Sequence, residues 1–429
     1  MGYSFKPAMC SVVKTVVQAL NAQRLWQRIE DLSCFTEPAR PWTRRAFTPL
    51  HGQSRVWLQE QMQAAGMEVR QDEAGNLIGS LRGRDPDAPP VVTGSHSDTV
   101  VDGGRFDGIV GVLAGIELAH ALQDAGVQPL RTFEVIDFLS EEPSDYGISC
   151  VGSRALAGVL EADMLASTND TGETLAQGIA RIGGQHHKLD KVRRLPGSVA
   201  AFLELHIEQG PVLEARAIPV GVVSHLVGIR RVQITVQGRP DHAGTTPMDL
   251  RCDALVAAAR LIDACYQQAK ALNQPDVYVV ATVGRVDVQP NVPNAVPGRV
   301  EMVLELRSDQ ESVLASFPEL LLQAQEEKLR ELGVSLSTRE LSRAPVTHCD
   351  PAIMQLIRDS ARQCGYDSLT LPSGAGHDAV YMARIAPMGM VFVPCLNGRS
   401  HCPEEWLDID QLMAGTQVLA ASMMHLLMQ

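Results

Sequence analysis

Four short apolar runs constrain this chain more than anything else in it: Val91-Val92-Thr93-Gly94-Ser95, Phe133 to Leu139, Ala201-Phe202-Leu203-Glu204-Leu205 and Met390 to Val393. Runs with so little polar alternation are buried on both faces, and strands of that kind belong to parallel sheets covered by helices. The intervening segments supply the helices. Residues 21–66 carry helical periodicity through Leu25, Ile29 and Leu32, then Val56, Leu58 and Met62, with a stop at Gly66. Gly111 to Leu122 reads as a helix whose small residues suit close packing, and Pro351 to Cys364 and Asp410 to Leu427 read as two more. Met67 to Arg70 and Asn76 to Gly79 add strands, so the expected fold class is α/β with a mixed, mostly parallel sheet.

The pattern changes near residue 222. Val232 to Val236 alternates as a half-buried strand does, then come a helix over Ala254 to Leu272, strands over Val277 to Val286 and Arg299 to Leu306, a helix over Ser312 to Leu332 and a strand over Val334 to Thr338. Strand, helix, strand, strand, helix, strand is a small α+β sandwich in its own right. A chain of 429 residues exceeds what one core usually organises. Residues 1–222 and 340–429 are therefore expected to form one domain, with 223–339 inserted as a smaller α+β lid.

Charge and cysteine usage narrow the partners. A formal net charge of −13 repels phosphate backbones and anionic lipid, and aromatic residues at 4% provide no stacking surface for bases, so nucleic acid and membrane are excluded as main partners. The short basic runs Arg44-Arg45 and Arg230-Arg231 read as solvated positions or local ion pairs. Nine cysteines without a C-x-x-C pair suggest neither a disulfide framework nor a zinc knuckle, and point to a reducing compartment. Ser11 to Val17 is too short and interrupted for a signal segment, and no apolar run reaches membrane-spanning length, so a cytoplasmic location is expected.

Each of the four apolar runs leads into a residue able to bind a metal. The first ends at His96, the second continues into Ser140-Glu141-Glu142, the third reaches His206, and the fourth passes through a loop to His401. In open α/β sheets, ligands collect at the carboxyl ends of strands, where separate turns can converge. Asp107 is a fifth candidate, in the glycine-rich run Gly103 to Gly108 ahead of a helix; that run lacks both the G-x-G-x-x-G spacing and a P-loop lysine. Any one of these residues alone would pass for loop or surface polarity. Their recurrence after four strands carries the reading. Three His and two carboxylates suit Zn²⁺ or Mn²⁺, with Co²⁺ and Ni²⁺ as further candidates, better than Ca²⁺. Five ligands are too many for one open catalytic zinc, but one bridging carboxylate with two terminal ligands per ion would accommodate two ions roughly 3.5–4 Å apart.

At these residues the sequence resembles the M20-type metallohydrolase family, in its amidase, hydantoinase and carbamoylase branch. The resemblance is carried by Gly94 to Val100, Gly103 to Gly108, Ser140-Glu141-Glu142, Glu204 to Gly210 and Gly398 to Glu404, in that order, and runs from about residue 45 to 425. It implies that His96, Asp107 and His206 hold one metal and Asp107, Glu142 and His401 the other. It makes Asp98 the residue that orients His96, and Glu141 the general base. Gly238 to Met248 resembles the family motif whose histidine, here His242, polarises the scissile carbonyl. Asn294 and Arg307 stand where the family binds a substrate carboxylate, for which the planar guanidinium fork is suited. Ser373 to Asp378, with Gly376 and His377, matches a substrate-binding loop, and Gln209 lies beside the metals. In the family some of these residues come from a partner subunit, so a homodimer formed through the inserted domain is expected.

The resemblance implies hydrolysis of an N-carbamoyl L-amino acid to the amino acid, ammonia and carbon dioxide. Allantoate amidohydrolase and β-ureidopropionase are alternatives, since all these substrates pair a ureido group with a carboxylate. Dipeptidase or N-acyl amino acid hydrolase activity is disfavoured by His206, where related peptidases carry an acidic ligand. A non-catalytic binding protein on the same fold would have lost its ligands. The chain departs from the common pattern at Pro143-Ser144-Asp145-Tyr146, where many members have Gly after the Glu pair and Arg two further on, and this leaves the choice of ureido substrate open.

Overall fold

A computed structural model describes residues 7–274 and 277–429; residues 1–6, the start of the expected 1–222 segment, and 275–276 lie outside the described residues. The chain divides into two compact units, Met1–Ser224 with His348–Gln429, and His225–Thr347.

The first unit is built on a mixed sheet. Its strands lie in the order Glu68–Gln71, Leu77–Leu81, Phe133–Phe138, Val91–His96, Ala201–Ile207, Met388–Val393 and Val220–Leu226, followed by the short Thr347–His348, with Ser368–Ser373 also pairing to Val220–Leu226. The four apolar runs thus occupy adjacent positions, and every pairing among them is parallel. Antiparallel neighbours flank them, Leu77–Leu81 on one side and Val220–Leu226 on the other. All six residues of Val91–His96, all seven of Ala201–Ile207 and all six of Met388–Val393 are buried, which explains their unbroken apolar character. The helix Ile109–Asp124 covers this region, and its close approach depends on Gly115, where a Cβ would stand 2.8 Å from Thr93 Cγ2. Ile409–Leu427, Ala22–Ser33 and Pro49–Ala64 contribute to the same core, each fully buried Leu, Ile or Val supplying about 1.5–3 kcal/mol.

In the second unit four antiparallel strands lie in the order Ser335–Ala344, Gly228–Gln237, Arg299–Ser308 and Val279–Gln289, with the helices Ala254–Leu272 and Glu311–Glu331 packed on one face. Val232, Ile234 and Val236 pair with Leu304, Met302 and Val300, and all six side chains are buried against those helices. The alternate positions form the other face and carry ion pairs such as Arg231 to Glu305 and Arg299 to Glu301.

One charge reading needs correction. Arg44 is not solvated: only 2% of it is exposed, and its guanidinium donates to the carbonyls of Ser97, Leu32 and Phe35. A long side chain can bring its charge inside when main-chain acceptors from several segments surround it. Its neighbour Arg45 pairs with Asp145, while Arg230 pairs with Glu319 and Glu340, as local ion pairs do. Among the described residues no helix is long and apolar enough to cross a membrane, and the eight cysteines from Cys34 to Cys402 are free thiols.

Candidate metal centre

Four parallel neighbours end on the same edge of the sheet, so whatever follows them must meet there. His96 closes its strand opposite Phe138 of the next, and His206, the last but one residue of its own strand, pairs with Phe392. Glu141 and Glu142 follow Phe133–Phe138 through Ser140, whose backbone is left-handed at φ +53°. His401 also has a left-handed backbone, φ +56°, at the end of the loop leaving Met388–Val393.

The five side chains converge. His96, Asp107 and His206 offer ligand atoms within 4.8 Å of one another, and so do Asp107, Glu142 and His401, which places Asp107 in both groups. One Asp107 oxygen lies 3.2 Å from His206 Nε2; the other lies 2.9 Å from His401 Nε2, itself 3.0 Å from Glu142 Oε1. Gly108, at φ +70°, caps the following helix beside His96, where a Cβ would come within 2.3 Å of Nε2 and displace the imidazole. Gly108 is therefore required by the approach of the His96 ring to the main chain.

The hydrogen bonds fix which nitrogen faces the site. His96 Nδ1 lies 2.9 Å from the Asp98 main-chain carbonyl and His206 Nδ1 2.9 Å from that of Ile207, so each ring donates there through Nδ1 and turns Nε2 to the site, where loss of its proton frees a lone pair. Asp98 thus holds His96 by its carbonyl, while its carboxylate, 3.7 Å from Nδ1, accepts the N–H groups of Glu141 and Glu142.

The electrostatics ask for added positive charge. Burial alone would raise the Asp107 carboxyl, but hydrogen bonds from His206 and His401 hold it well below the usual carboxylate range. Hydrogen bonds to Asp107 and Glu142 raise His401 to about 11. Burial would lower His96, yet Glu141, Asp98, Asp107 and Glu142 together push it well above the ordinary imidazole value. Protons on the imidazoles are one way to neutralise this set. Divalent cations are the other, and lone pairs on Nε2 beside shared carboxylate oxygens are the donors such cations take. The residues fit a two-cation site.

The other expected residues fall into two places. Gln209 Nε2 donates to Asp107 Oδ1 at 3.0 Å, and His377, buried in the loop that contains Gly376, has its ring centroid 4.4 Å from that of His206. Glu141 has an oxygen 3.7 Å from His96 Nε2. His242, Asn294 and Arg307 lie in the inserted unit. His242 and Asn294 are adjacent there, joined by the Asp241–His242 to Ala295–Val296 ribbon and by the Ala243 N–H to the Asn294 carbonyl. Arg307 lies on Arg299–Ser308 and donates to Glu305. Sequence reasoning missed Glu405, buried beside Asp107, because a second Glu-Glu pair gives no signal of burial.

Comparison with known proteins places the chain. The model of "Peptidase family M20/M25/M40" matches residues 92–425. An N-carbamoyl-L-amino-acid amidohydrolase of Paenarthrobacter aurescens is 37% identical over 94% of this chain and 97% of its own. A ureidoglycolate hydrolase of Arabidopsis thaliana is 33% identical over 95% of this chain and 87% of its own. Among solved structures, an amidase of the hydantoinase/carbamoylase family from Burkholderia multivorans superimposes with a TM-score of 0.85 at 35% identity, covering 96% of this chain and 98% of that one. With a family match across most of its length and relatives of this likeness over nearly all of it, the chain belongs to the M20/M25/M40 peptidase family.

Proposed function

We propose that this chain is an amidohydrolase that cleaves the carbamoyl C–N bond of an N-carbamoyl L-amino acid, taking up one water and yielding the amino acid, ammonia and carbon dioxide. The observation that carries the reading is the shared Asp107, set between a His96 and His206 pair and a Glu142 and His401 pair at the ends of four adjacent parallel strands. The likeness to the Paenarthrobacter amidohydrolase supports the substrate class.

In this reading His96, Asp107 and His206 hold one Zn²⁺ or Mn²⁺, and Asp107, Glu142 and His401 the second. Such cations supply Lewis acidity, polarising a carbonyl oxygen and lowering the pKa of water from about 15.7 towards about 7. Glu141 takes the proton of the attacking water and returns it to the leaving nitrogen. His242 Nδ1 accepts the N–H groups of Gly244 and Thr245, at 3.0 and 3.2 Å, so its remaining proton is on Nε2, where it can be donated to the developing oxyanion. Arg307, with Asn294, anchors the substrate carboxylate, exchanging part of its present contact with Glu305. Gln209, Gly376 and His377 line the substrate. Residues 223–339 serve as lid and dimerisation domain; the edge strand Val279–Gln289, exposed at most positions, is a suitable dimer surface. The enzyme then acts as a cytoplasmic homodimer on a small ureido compound.

The Arabidopsis relative favours a second reading, hydrolysis of ureidoglycolate, and allantoate and β-ureidopropionate share the same two recognition groups. Ammonia release measured over these four substrate classes decides among them. Turnover is expected to be fastest with an N-carbamoyl L-amino acid, to vanish on removal of metal by chelator and to return with Mn²⁺ or Zn²⁺. Hydrolysis that persists in fully metal-free protein defeats the proposal, and amino acid release from dipeptides without ammonia redirects it to peptide cleavage. Replacing Arg307 by Ala should raise KM about 10- to 100-fold, the worth of a charge-assisted hydrogen bond, with kcat changed far less. An unaltered KM removes Arg307 from the anchor role.

A further inference from the structure

We propose that Glu405 is a positioning residue for the metal centre, a carboxylate clamp that locks the loop bearing Asp107 to the loop bearing His401. The inference rests on the reading of those two residues as ligands.

Glu405 is 1% exposed, and both of its oxygens are occupied. Oε1 accepts the main-chain N–H of Phe106 at 2.8 Å and of Asp107 at 3.1 Å. Oε2 accepts the hydroxyl of Ser400, the neighbour of His401, at 2.7 Å. Ser400 in turn accepts from Gln209 Nε2 at 3.2 Å, and the same Nε2 donates to Asp107 Oδ1 at 3.0 Å. A closed circuit therefore runs from the Asp107 main chain through Glu405, Ser400 and Gln209 back to the Asp107 side chain. It fixes both ends of the shared ligand.

Two further features point to a built arrangement. Gly104 makes room for the clamp, since a Cβ there would come within 1.9 Å of the Glu405 carboxyl carbon. Next along the chain, Trp406 stacks with the Arg105 guanidinium at 4.8 Å, and Trp42 stacks with the same group at 4.8 Å, bracing the two loops from the side. The need for a clamp is evident at His401, whose side chain is 49% exposed. Burial does little to hold that ring, so its neighbour must be tied to something rigid. A carboxylate used only to cement the fold would have no reason to draw all three of its donors from Asp107, Phe106 and Ser400.

The clamp can be tested with metal alone. Zn²⁺ content and the rate of chelator-driven Zn²⁺ loss are measured on Glu405→Ala, Glu405→Gln and Ser400→Ala, alongside the Tm of each metal-free protein and, separately, kcat and KM. Glu405→Ala should bind Zn²⁺ about 10- to 100-fold more weakly, the usual effect of removing a group that orients ligands, and should lower kcat more than it raises KM. Glu405→Gln should restore most of the affinity, because its Oε1 can accept both N–H groups while its amide donates to the Ser400 oxygen. If Glu405→Ala does not fold, Ser400→Ala takes its place and should show the same direction of change. Wild-type affinity and loss rate in Glu405→Ala, or in Ser400→Ala where that variant stands in, with only Tm reduced, overturn the proposal. A wild-type chain that binds Zn²⁺ but hydrolyses no ureido substrate sinks the proposed function while leaving the clamp testable. One that refuses divalent ions sinks both.

Discussion

Replacing Glu141 by Gln should cut ammonia release from an N-carbamoyl amino acid by about 10²- to 10⁴-fold, the range for loss of a positioned general base, while the chain keeps its full complement of metal. The expectation follows from where Glu141 sits. It belongs to neither ligand group, yet one of its oxygens lies 3.7 Å from His96 Nε2. Its main chain is tied down independently of its charge, by the Asp98 carboxylate on its N–H and the Cys150 N–H on its carbonyl. An amide of the same volume therefore leaves the turn in place. Burial, reinforced by Glu142 and opposed by His96, pushes the Glu141 carboxyl well above the usual carboxylate range, and the amide removes a carboxylate able to take and return a proton. Metal analysis and steady-state kinetics on the same preparation decide the matter. Normal turnover strips Glu141 of the role, and loss of metal would make it a ligand instead.

Much of this geometry could be read in the sequence because its causes are local. The four adjacent parallel strands are legible since burial on both faces leaves an unbroken apolar run. The helices Ala254–Leu272 and Pro351–Cys364 are legible by their periodicity, and Asp253 and Asp350 mark where they start by capping them with their own side chains. The strands Val220–Leu226 and Ser368–Ser373 were not foreseen. Both pair at the antiparallel end of the sheet, where exposure is mixed and the pattern interrupted. Helices such as Val151–Leu156 and Leu175–Arg181 are too short to show periodicity. What the sequence hides most completely is a main-chain partner. The acceptors that admit Arg44 to the interior are carbonyls, and Asp98 too meets His96 through its carbonyl, which side-chain identity does not disclose. The same is true of Glu405, whose Oε1 partners are amides of residues some three hundred positions earlier.

Replacement of Asp107 by Ala should have the largest effect of any single change on the site, emptying both cation positions, whereas His401→Ala should leave about one ion bound. Asp107 supplies one oxygen towards His206 and the other towards His401, so its loss removes a ligand from each group at once and leaves two in either. Two ligands are fewer than the three protein ligands a catalytic zinc ordinarily keeps. His401, by contrast, serves one group only, and His96, Asp107 and His206 remain intact without it. Turnover in Asp107→Ala should fall on the order of 10³-fold or more, since about 4 kcal/mol of transition-state stabilisation corresponds to that factor and the cations supply several. The fold should persist, because the Asp107 N–H is held by Glu405 whatever its side chain is. Metal content by elemental analysis, with circular dichroism as the folding control, separates the outcomes. Two ions retained in a folded Asp107→Ala chain would mean that the cations are not joined through this carboxylate, and the shared-ligand geometry on which the proposed chemistry depends would have to be given up.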